Sequence, residues 1–221
     1  MVSAKDSTSR TVGRPIDEEL QARRRVEILN ASTEVFAARG FAATDVQEIA
    51  NRIGVGKGTI YRYFPSKEEL FLAAVDNGMK QLKAAVELAA DSNKPPLECV
   101  AGGILAYLTF FDQHREIVEL LVQERAFFRD RPKPTYFVHR EANLGRWRDL
   151  FRELINAGIV RDLSEEIITE FISDLLYGML FTNYFAERKR SPETQCRDAL
   201  DLIMRGILVE PNGIHHATQS K

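Results

Sequence analysis

Residues 54–67 concentrate side chains that can bind the phosphates and base edges of a nucleic acid. Lysine and arginine supply positive charge, threonine and tyrosine hydroxyls can hydrogen-bond phosphate oxygens, and glycines let a backbone approach closely. The residues are Gly56, Lys57, Gly58, Thr59, Tyr61, Arg62, Tyr63 and Lys67. Ile60 and Phe64 are four positions apart and would face inward, which predicts a short helix that presents the polar set outward. Such a helix can enter a DNA major groove with its first residues against base edges.

Patterns typical of catalysis or metal binding are missing from the sequence. It has no nucleophile elbow, phosphate-binding glycine loop, zinc-ligand spacing or paired catalytic carboxylates. An enzyme is therefore disfavoured, and neither a cofactor nor a metal is expected. His114 and His139 are isolated. Cys99 and Cys196 are expected to be small buried residues in a reducing cytoplasm, with a regulatory thiol pair as the alternative.

Composition and charge indicate a globular protein with one basic end. Of 221 residues, 44% are hydrophobic and 28% charged. No apolar run is long enough for a membrane span or a secretory signal, so a cytoplasmic protein is expected. The net charge of −2 argues against nucleic-acid binding, but residues 1–67 carry 11 basic against 8 acidic side chains and the remainder carries 19 against 24. This asymmetry fits a protein that touches phosphate with one end only.

The spacing of apolar residues predicts an all-α fold. Capping boxes at Thr44 with Gln47 and at Ser66 with Glu69 mark the starts of the second and fourth helices, and a glycine follows each of the first two. No alternating strand pattern is present. The predicted helices span about 17–39, 44–53, 57–64, 66–90, 95–114, 116–128, 136–157, 164–188 and 191–208.

Residues 28–71 resemble the DNA-binding domain of the TetR (tetracycline-repressor) family almost position by position. The similarity includes ILNA at 28–31, FAARGFAAT at 36–44 and IANRIGVGKGTIYRYFPSKEELF at 49–71. The tight turn, the aromatic pair, the lysine and the flanking helices all occur at the same spacing as in that family. The resemblance implies an all-helical, dimeric transcription regulator, with an N-terminal three-helix helix-turn-helix domain and a C-terminal helical bundle for ligand binding and dimerisation.

The resemblance also implies a domain layout and a set of DNA contacts. The expected parts are a flexible basic arm at 1–16, a DNA-binding domain at 17–76, a ligand-binding and dimerisation domain at 77–210 and a flexible tail at 211–221. The arm either follows the minor groove or is a solvated tail. Phosphate contacts fall on Thr44, Lys57, Tyr63 and Lys67, and base contacts on Gln47, Gly58, Thr59, Tyr61 and Arg62. Gly56 departs from the serine common in relatives, which removes one hydroxyl.

The aromatic content of the C-terminal region suggests a cavity. Fourteen of the twenty aromatic residues lie beyond residue 90, and in this family some would line an effector pocket, although ordinary core packing is the alternative for each. Gly102 and Gly103 imply close helix packing or room for a ligand. The candidate pocket residues are Tyr107, Phe110, Phe111, Phe128, Trp147, Phe151, Phe171 and Tyr177, with Glu124 and Asp174 as polar contacts.

Small and aliphatic residues on the last two helices suggest a four-helix dimer interface. The candidates are Leu175, Gly178, Met179, Thr182, Ala199, Leu200, Ile203 and Ile207. The expected function is repression from a palindromic operator by a homodimer that a small, largely apolar effector releases from double-stranded DNA. The alternatives are a regulator that answers to a protein partner instead of an effector, and an activator. No membrane partner is expected.

Overall fold

The computed structural model describes residues 18–91 and 93–208, and within these ranges the fold is all-α, as the sequence predicts. Two residues pair in an isolated antiparallel bridge, Val160 with Leu208, and no helix in the described part is long and apolar enough to cross a membrane. The helices are α1 (Glu18–Arg39), α2 (Val46–Arg52), α3 (Lys57–Tyr63), α4 (Lys67–Ala89), α5 (Pro96–Gln113), α6 (Arg115–Phe127), α7 (Thr135–Asn156), α8 (Glu165–Phe185) and α9 (Pro192–Ile207). The predicted arm and tail lie outside the described residues.

Helices α1 to α3 and the start of α4, together called the head below, pack around the first part of an apolar core that continues into the C-terminal helices. Gly40 and Gly54 end α1 and α2 with φ angles of +81° and +67°, a left-handed conformation that favours glycine. Ile49 and Ile60 are fully buried between the short helices. The tight turns and this core hold α2 and α3 in a fixed relative orientation.

The start of α2 differs from the prediction by one residue. The N-cap is Asp45, whose carboxylate accepts a hydrogen bond from the backbone N–H of Gln47. Asp45 has the extended backbone of a cap, whereas the N–H and the hydroxyl of Thr44 both bond the carbonyl of Gly40, which places Thr44 in the preceding turn. The second predicted capping residue is confirmed, since the Ser66 hydroxyl accepts from the N–H of Glu69.

The head rests on the C-terminal helices, called the body below, through aromatic and polar contacts. The rings of Phe71 and Phe128 stack at 5.4 Å, and Phe41 meets Phe128 edge to face at 5.0 Å. Buried Gln123 of α6 accepts from the N–H of Phe41 at 2.7 Å and donates to the carbonyl of Phe36 at 3.0 Å. One side-chain amide therefore fastens the end of α1 to the body.

Helix α4 runs from the head into the body, where glycines allow close helix approach. A Cβ on Gly102 of α5 would lie 2.7 Å from the carbonyl oxygen of Ala89, and a Cβ on Gly78 of α4 would lie 2.7 Å from Ile117. A Cβ on Gly103 would lie 2.6 Å from the Trp147 ring. Gly102 thus serves close packing of the backbone, while Gly103 makes room for an indole.

Candidate DNA interface and effector cavity

Helix α3 presents its polar side chains on the surface because its apolar ones anchor it. Ile60 is fully buried, and Phe64, directly after the helix, is 2% exposed. Arg62, Tyr61 and Gly58 are exposed on the opposite side, and Lys57 and Thr59 are half-buried at the first turn. The predicted base-contacting residues of α3 therefore share an accessible face, as a helix entering a groove requires.

An ion pair links the start of α3 to the start of α2. The Lys57 ammonium lies 2.7 Å from the Asp45 carboxylate. The backbone N–H of Gln47 and then the Lys57 ammonium hold the pKa of Asp45 below its usual value. The hydrogen bond to Asp45 in turn raises the pKa of Lys57. Lys57 is therefore charged, and the contact with Asp45 uses only one of its three ammonium protons.

Lys67 and Thr44 meet inside the turn between α1 and α2. The Lys67 ammonium donates to the carbonyls of Thr44 at 2.8 Å and Ala42 at 3.1 Å, and it lies over the Phe41 ring. Thr44 is 3% exposed and its hydroxyl donates inward to the carbonyl of Gly40. The predicted phosphate contact by the Thr44 side chain is therefore corrected: this hydroxyl stabilises the turn.

The remaining predicted DNA contacts lie beside α3, together with one residue that the sequence analysis missed. Gln47 is half-buried and donates to Asn51 at 2.7 Å. Tyr63 is half-buried at the end of α3. The guanidinium of Arg25, in α1, lies 4.4 Å from the centre of the Phe64 ring and adds positive charge beside α3. No local motif marks Arg25, because it is 38 positions from Tyr63, whose carbonyl it also approaches at 3.5 Å.

A cavity of about 380 Å³ lies between α4, α5, α7 and α8. Such a volume suits a small organic molecule, and most of its wall is apolar. Three predicted pocket residues, Tyr107, Trp147 and Phe151, line it. The other apolar wall residues are Met79, Leu82, Val86, Val100, Gly103, Ile104, Ala142, Leu144, Ile172 and Leu176.

Four predicted pocket residues on α5, on α6 and directly after α6 lie away from this cavity. Phe110 and Phe111 pack against each other edge to face at 5.3 Å on another face of α5. Phe128 belongs to the contact between head and body. Glu124, 2% exposed, accepts from the Thr135 N–H at 3.0 Å and its hydroxyl at 2.8 Å, and it pairs with Arg131. It closes the loop between α6 and α7 instead of meeting a ligand.

Three predicted pocket residues on α8 also lie outside the cavity. Phe171 is 62% exposed on the outer side of the helix. Asp174 is exposed and pairs with Arg140 at 2.8 Å. Tyr177 lies behind the wall, with its ring 4.9 Å from that of Tyr136. Helix α8 is apolar on most sides, so periodicity alone could not identify its inner face.

The cavity contains polar groups on α7 that the sequence analysis missed. The hydroxyls of Tyr136 and Tyr107 are 3.0 Å apart. Burial raises the pKa of Tyr136 to about 12 and that of Tyr107 well above its usual value, so both phenols are neutral. His139 lies 2.7 Å from Asp76 of α4. Tyr136, Arg140 and Trp147 recur at helical spacing on α7, and that spacing was the available signal.

The predicted dimer residues divide between two faces. Ala199 and Ile203 are buried against α5 of the same chain, so they are corrected from interface to core. Of the other candidates, Gly178 is exposed and the rest are half-buried: Leu175, Met179, Thr182, Leu200 and Ile207.

A row of exposed residues follows one side of α8, and the apolar Leu202 of α9 is 76% exposed. The stripe, called the α8 stripe below, consists of Ile167, Phe171, Asp174, Gly178 and Phe185.

Within the described ranges, no group of three or more His, Cys, Asp or Glu residues is placed to hold a metal ion. Cys99 and Cys196 are both buried and free. The Cys99 thiol lies 3.0 Å from the carbonyl of Asp91, and the Cys196 thiol lies 3.7 Å from that of Ala101. The two cysteines have separate partners on the backbone.

Comparisons with known proteins agree on one family. Residues 28–74 match the model described as bacterial regulatory proteins, tetR family. The transcriptional repressor KstR2 of Mycobacterium tuberculosis is 30% identical over 153 residues, which are 68% of this chain and 76% of the relative. The activator FasR of Mycolicibacterium smegmatis is 31% identical over 100 residues, 45% of this chain and 46% of that protein.

Solved structures share the fold. The ketosteroid regulator KstR2 of Mycobacterium tuberculosis aligns with a TM-score of 0.63 at 26% identity, covering 85% of this chain and 96% of that one. FadR of Bacillus subtilis, solved in complex with stearoyl-CoA, aligns with a TM-score of 0.69 at 21% identity, covering 82% and 98%. The second likeness concerns the fold alone.

Proposed function

Because the chain belongs to the TetR family, and is therefore a DNA-binding transcription regulator and not an enzyme, we propose that it represses transcription from a palindromic operator as a homodimer. The observation that carries this proposal is the exposed face of α3, with Gly58, Tyr61 and Arg62 outward and Ile60 fully buried beneath them. A repressor relative that matches two thirds of the chain supports the sign of regulation.

The proposed DNA contacts divide into two kinds. Lys57, Tyr63 and Lys67 surround α3 and would hold the phosphates, which position the protein without reading sequence. Gln47, Thr59 and Tyr61, together with Arg62, would read base edges. Lys67 would hold a phosphate while its ammonium donates to backbone carbonyls in the turn before α2. Phosphate binding by Lys67 would therefore depend on the position of that turn.

The α8 stripe supports a homodimer. It places Ile167, Phe171 and Phe185, each more than 60% exposed, along one side of a helix. Leu202 of α9 is exposed as well, and large exposed apolar side chains repeated on the last two helices favour a subunit interface. Gly178 has nothing within 4 Å of a Cβ position, which leaves space for close approach by a partner helix. Two helices from each subunit would then pack as a four-helix interface.

The cavity supports a small effector with a large apolar part. One similar structure is that of a ketosteroid regulator, and a ketosteroid is a mainly apolar molecule. Helix α4 contributes Met79, Leu82 and Val86 to the wall, and its first turns contribute Leu70 and Phe71 to the core of the head. An effector that prefers a different position of α4 would therefore move the head and weaken operator binding.

The proposal is tested with the dimer and operators selected from random DNA. We expect a palindrome whose half-sites are about one helical turn apart or somewhat more.

The Lys67→Ala substitution should lower the slope of log affinity against log salt concentration by about one unit for each phosphate that the variant no longer neutralises. A single half-site bound by one chain would contradict the proposal, and a promoter reporter that loses activity on gene deletion would identify an activator instead.

Two tyrosines offer a matched test of the roles on α3. Tyr63→Phe should weaken binding to all sequences by a similar factor, because a phosphate contact carries no sequence information. Tyr61→Phe, the same chemical change two positions earlier, should alter the preferred base at one position of each half-site. Binding of both variants to a library of single-base operator mutants measures this. Interchanged results would show that the assigned roles are reversed.

A further inference from the structure

We propose that Tyr107 and Tyr136 act together as one hydrogen-bond donor that recognises an uncharged carbonyl oxygen on the effector. The inference rests on the proposed use of the cavity as the effector site and adds what the site selects. Both residues line the cavity, one from α5 and one from α7, and their side chains are 29 positions apart in sequence.

The number of protons in the phenol pair leaves one donor free. Each tyrosine has a single O–H, and the contact of 3.0 Å between the two oxygens uses one of them. The phenol that accepts in this contact keeps its own proton, and among the described residues no acceptor lies within bonding distance of it. A buried donor without a partner is costly, so an acceptor supplied by a ligand would be bound preferentially.

The state of the two phenols favours a neutral acceptor. Tyr107 and Tyr136 are 8% and 7% exposed, and burial raises their pKa values above that of an ordinary tyrosine, which is itself a protonated donor at neutral pH. Arg140, the cation on the wall whose charge acts on both phenols, is already paired with Asp174 at 2.8 Å. A carboxylate at this position would have to lose water without an unpaired counter-charge, whereas a ketone or ester carbonyl would not.

Three other polar groups of the wall bond to the protein itself. The imidazole of His139 bonds Asp76 at 2.7 Å, and the Thr169 hydroxyl donates to the carbonyl of Glu165 at 2.8 Å. The Asn143 amide donates to the carbonyl of His139. Among the donor side chains of the described wall, only Tyr107, Tyr136 and Thr169 are buried, and the Thr169 proton is used. The phenol pair therefore combines a spare proton with burial.

The test uses Prodan, a fluorescent dimethylamino-naphthyl ketone, and an analogue in which the carbonyl is reduced to a methylene. Both are titrated into the wild-type protein and into Tyr107→Phe/Tyr136→Phe. We expect the affinity of the double variant for the ketone to fall about 5- to 100-fold, and its affinity for the methylene analogue to equal or exceed that of wild type. Emission of the bound ketone should also shift to the blue when its hydrogen bond is removed.

Matched variants separate the phenol pair from the cavity itself. Tyr177→Phe removes a hydroxyl from the ring adjacent to Tyr136 but outside the cavity, and it should change neither affinity. Leu176→Trp fills the cavity and should abolish binding of both probes. Thermal unfolding of each variant confirms that it is folded, and the single variants Tyr107→Phe and Tyr136→Phe provide the same comparison if the double variant is not.

The outcomes distinguish the two levels of the proposal. Equal reductions in affinity for both probes, or no reduction for either, would overturn the role of the phenols and leave the cavity as a ligand site. Tighter binding of the corresponding naphthyl carboxylate than of the ketone would overturn the preference for a neutral acceptor. If neither probe shows saturable binding that the Leu176→Trp substitution abolishes, the result would count against the cavity as the effector site and therefore against this inference.

Discussion

The head and the body are both helical, but they use polar side chains in opposite ways. In the head, ion pairs such as Lys57 with Asp45 are exposed to solvent, and the core beneath them is apolar. In the body, polar groups meet in the interior and join different helices, as Glu124 does with Thr135. The charges beside α2 and α3 thus stay accessible to a partner, whereas Glu124 and the groups bonded to it fix helix positions.

Replacing a buried carboxylate should show the largest difference between the two regions. Glu124→Gln removes the charge that Arg131 and two Thr135 donors share, and it should destabilise the protein by about 2–4 kcal/mol. Glu34→Gln, which breaks the exposed pair with Arg52, should cost less than about 0.5 kcal/mol. Urea unfolding at equal protein concentration measures both. Similar values for the two variants would remove the contrast.

Glycine substitutions within the body should give a smaller effect whose sign depends on packing. Gly102→Ala brings a methyl group against the carbonyl of Ala89 and should cost about 1–3 kcal/mol. Gly145→Ala, on an exposed part of α7 with nothing within 4 Å, should stabilise by about 0.5–1 kcal/mol through helix propensity. The free energy of unfolding of both variants measures these changes. A Gly102→Ala variant as stable as the wild type would mean that α4 and α5 can move apart to accept the methyl group.

The contact between the two regions should give the smallest of these effects on stability. Gln123→Met removes the bonds to Phe36 and Phe41 and should cost about 1–2 kcal/mol. Hydrogen exchange at the Phe41 amide should accelerate in the same variant. Gln81→Met, which breaks only a 3.4 Å hydrogen bond to Asn30, is the control and should change neither measurement. Unchanged exchange at Phe41 in Gln123→Met would show that the aromatic contacts alone hold the head.

The head was largely predictable because its decisive interactions are local. Glycine after a helix, and Ile60 four residues before Phe64, specify the turns and the inner face within a few residues. The error at Thr44 has the same origin, because Thr44 and Asp45 are both good caps and only the extra bond to Gly40 selects the second.

The body was predictable as a set of helices but not as a site. Which face of α8 points inward depends on α5 and α7, which precede it by many residues, so Phe171 and Tyr177 could not be separated by pattern. Ala199 and Ile203 face α5 for the same reason. The phenol pair joins α5 to α7 and carries no local signal.

Helix α4 packs closely on α6 near its middle, where Gly78 meets Ile117, so a rigid tilt of α4 about that contact would move its two ends in opposite directions. At a rise of 1.5 Å per residue, the length of α4 from Gly78 to Glu87 at the cavity is about 14 Å, and the length from Gly78 to Lys67 at the head is about 17 Å. Because the two lengths are nearly equal, a tilt about Gly78 would move the two ends of α4 by similar distances in opposite directions. An effector would therefore have to shift the far end by about as much as the head must move, and compounds that leave that end in place would bind without releasing DNA.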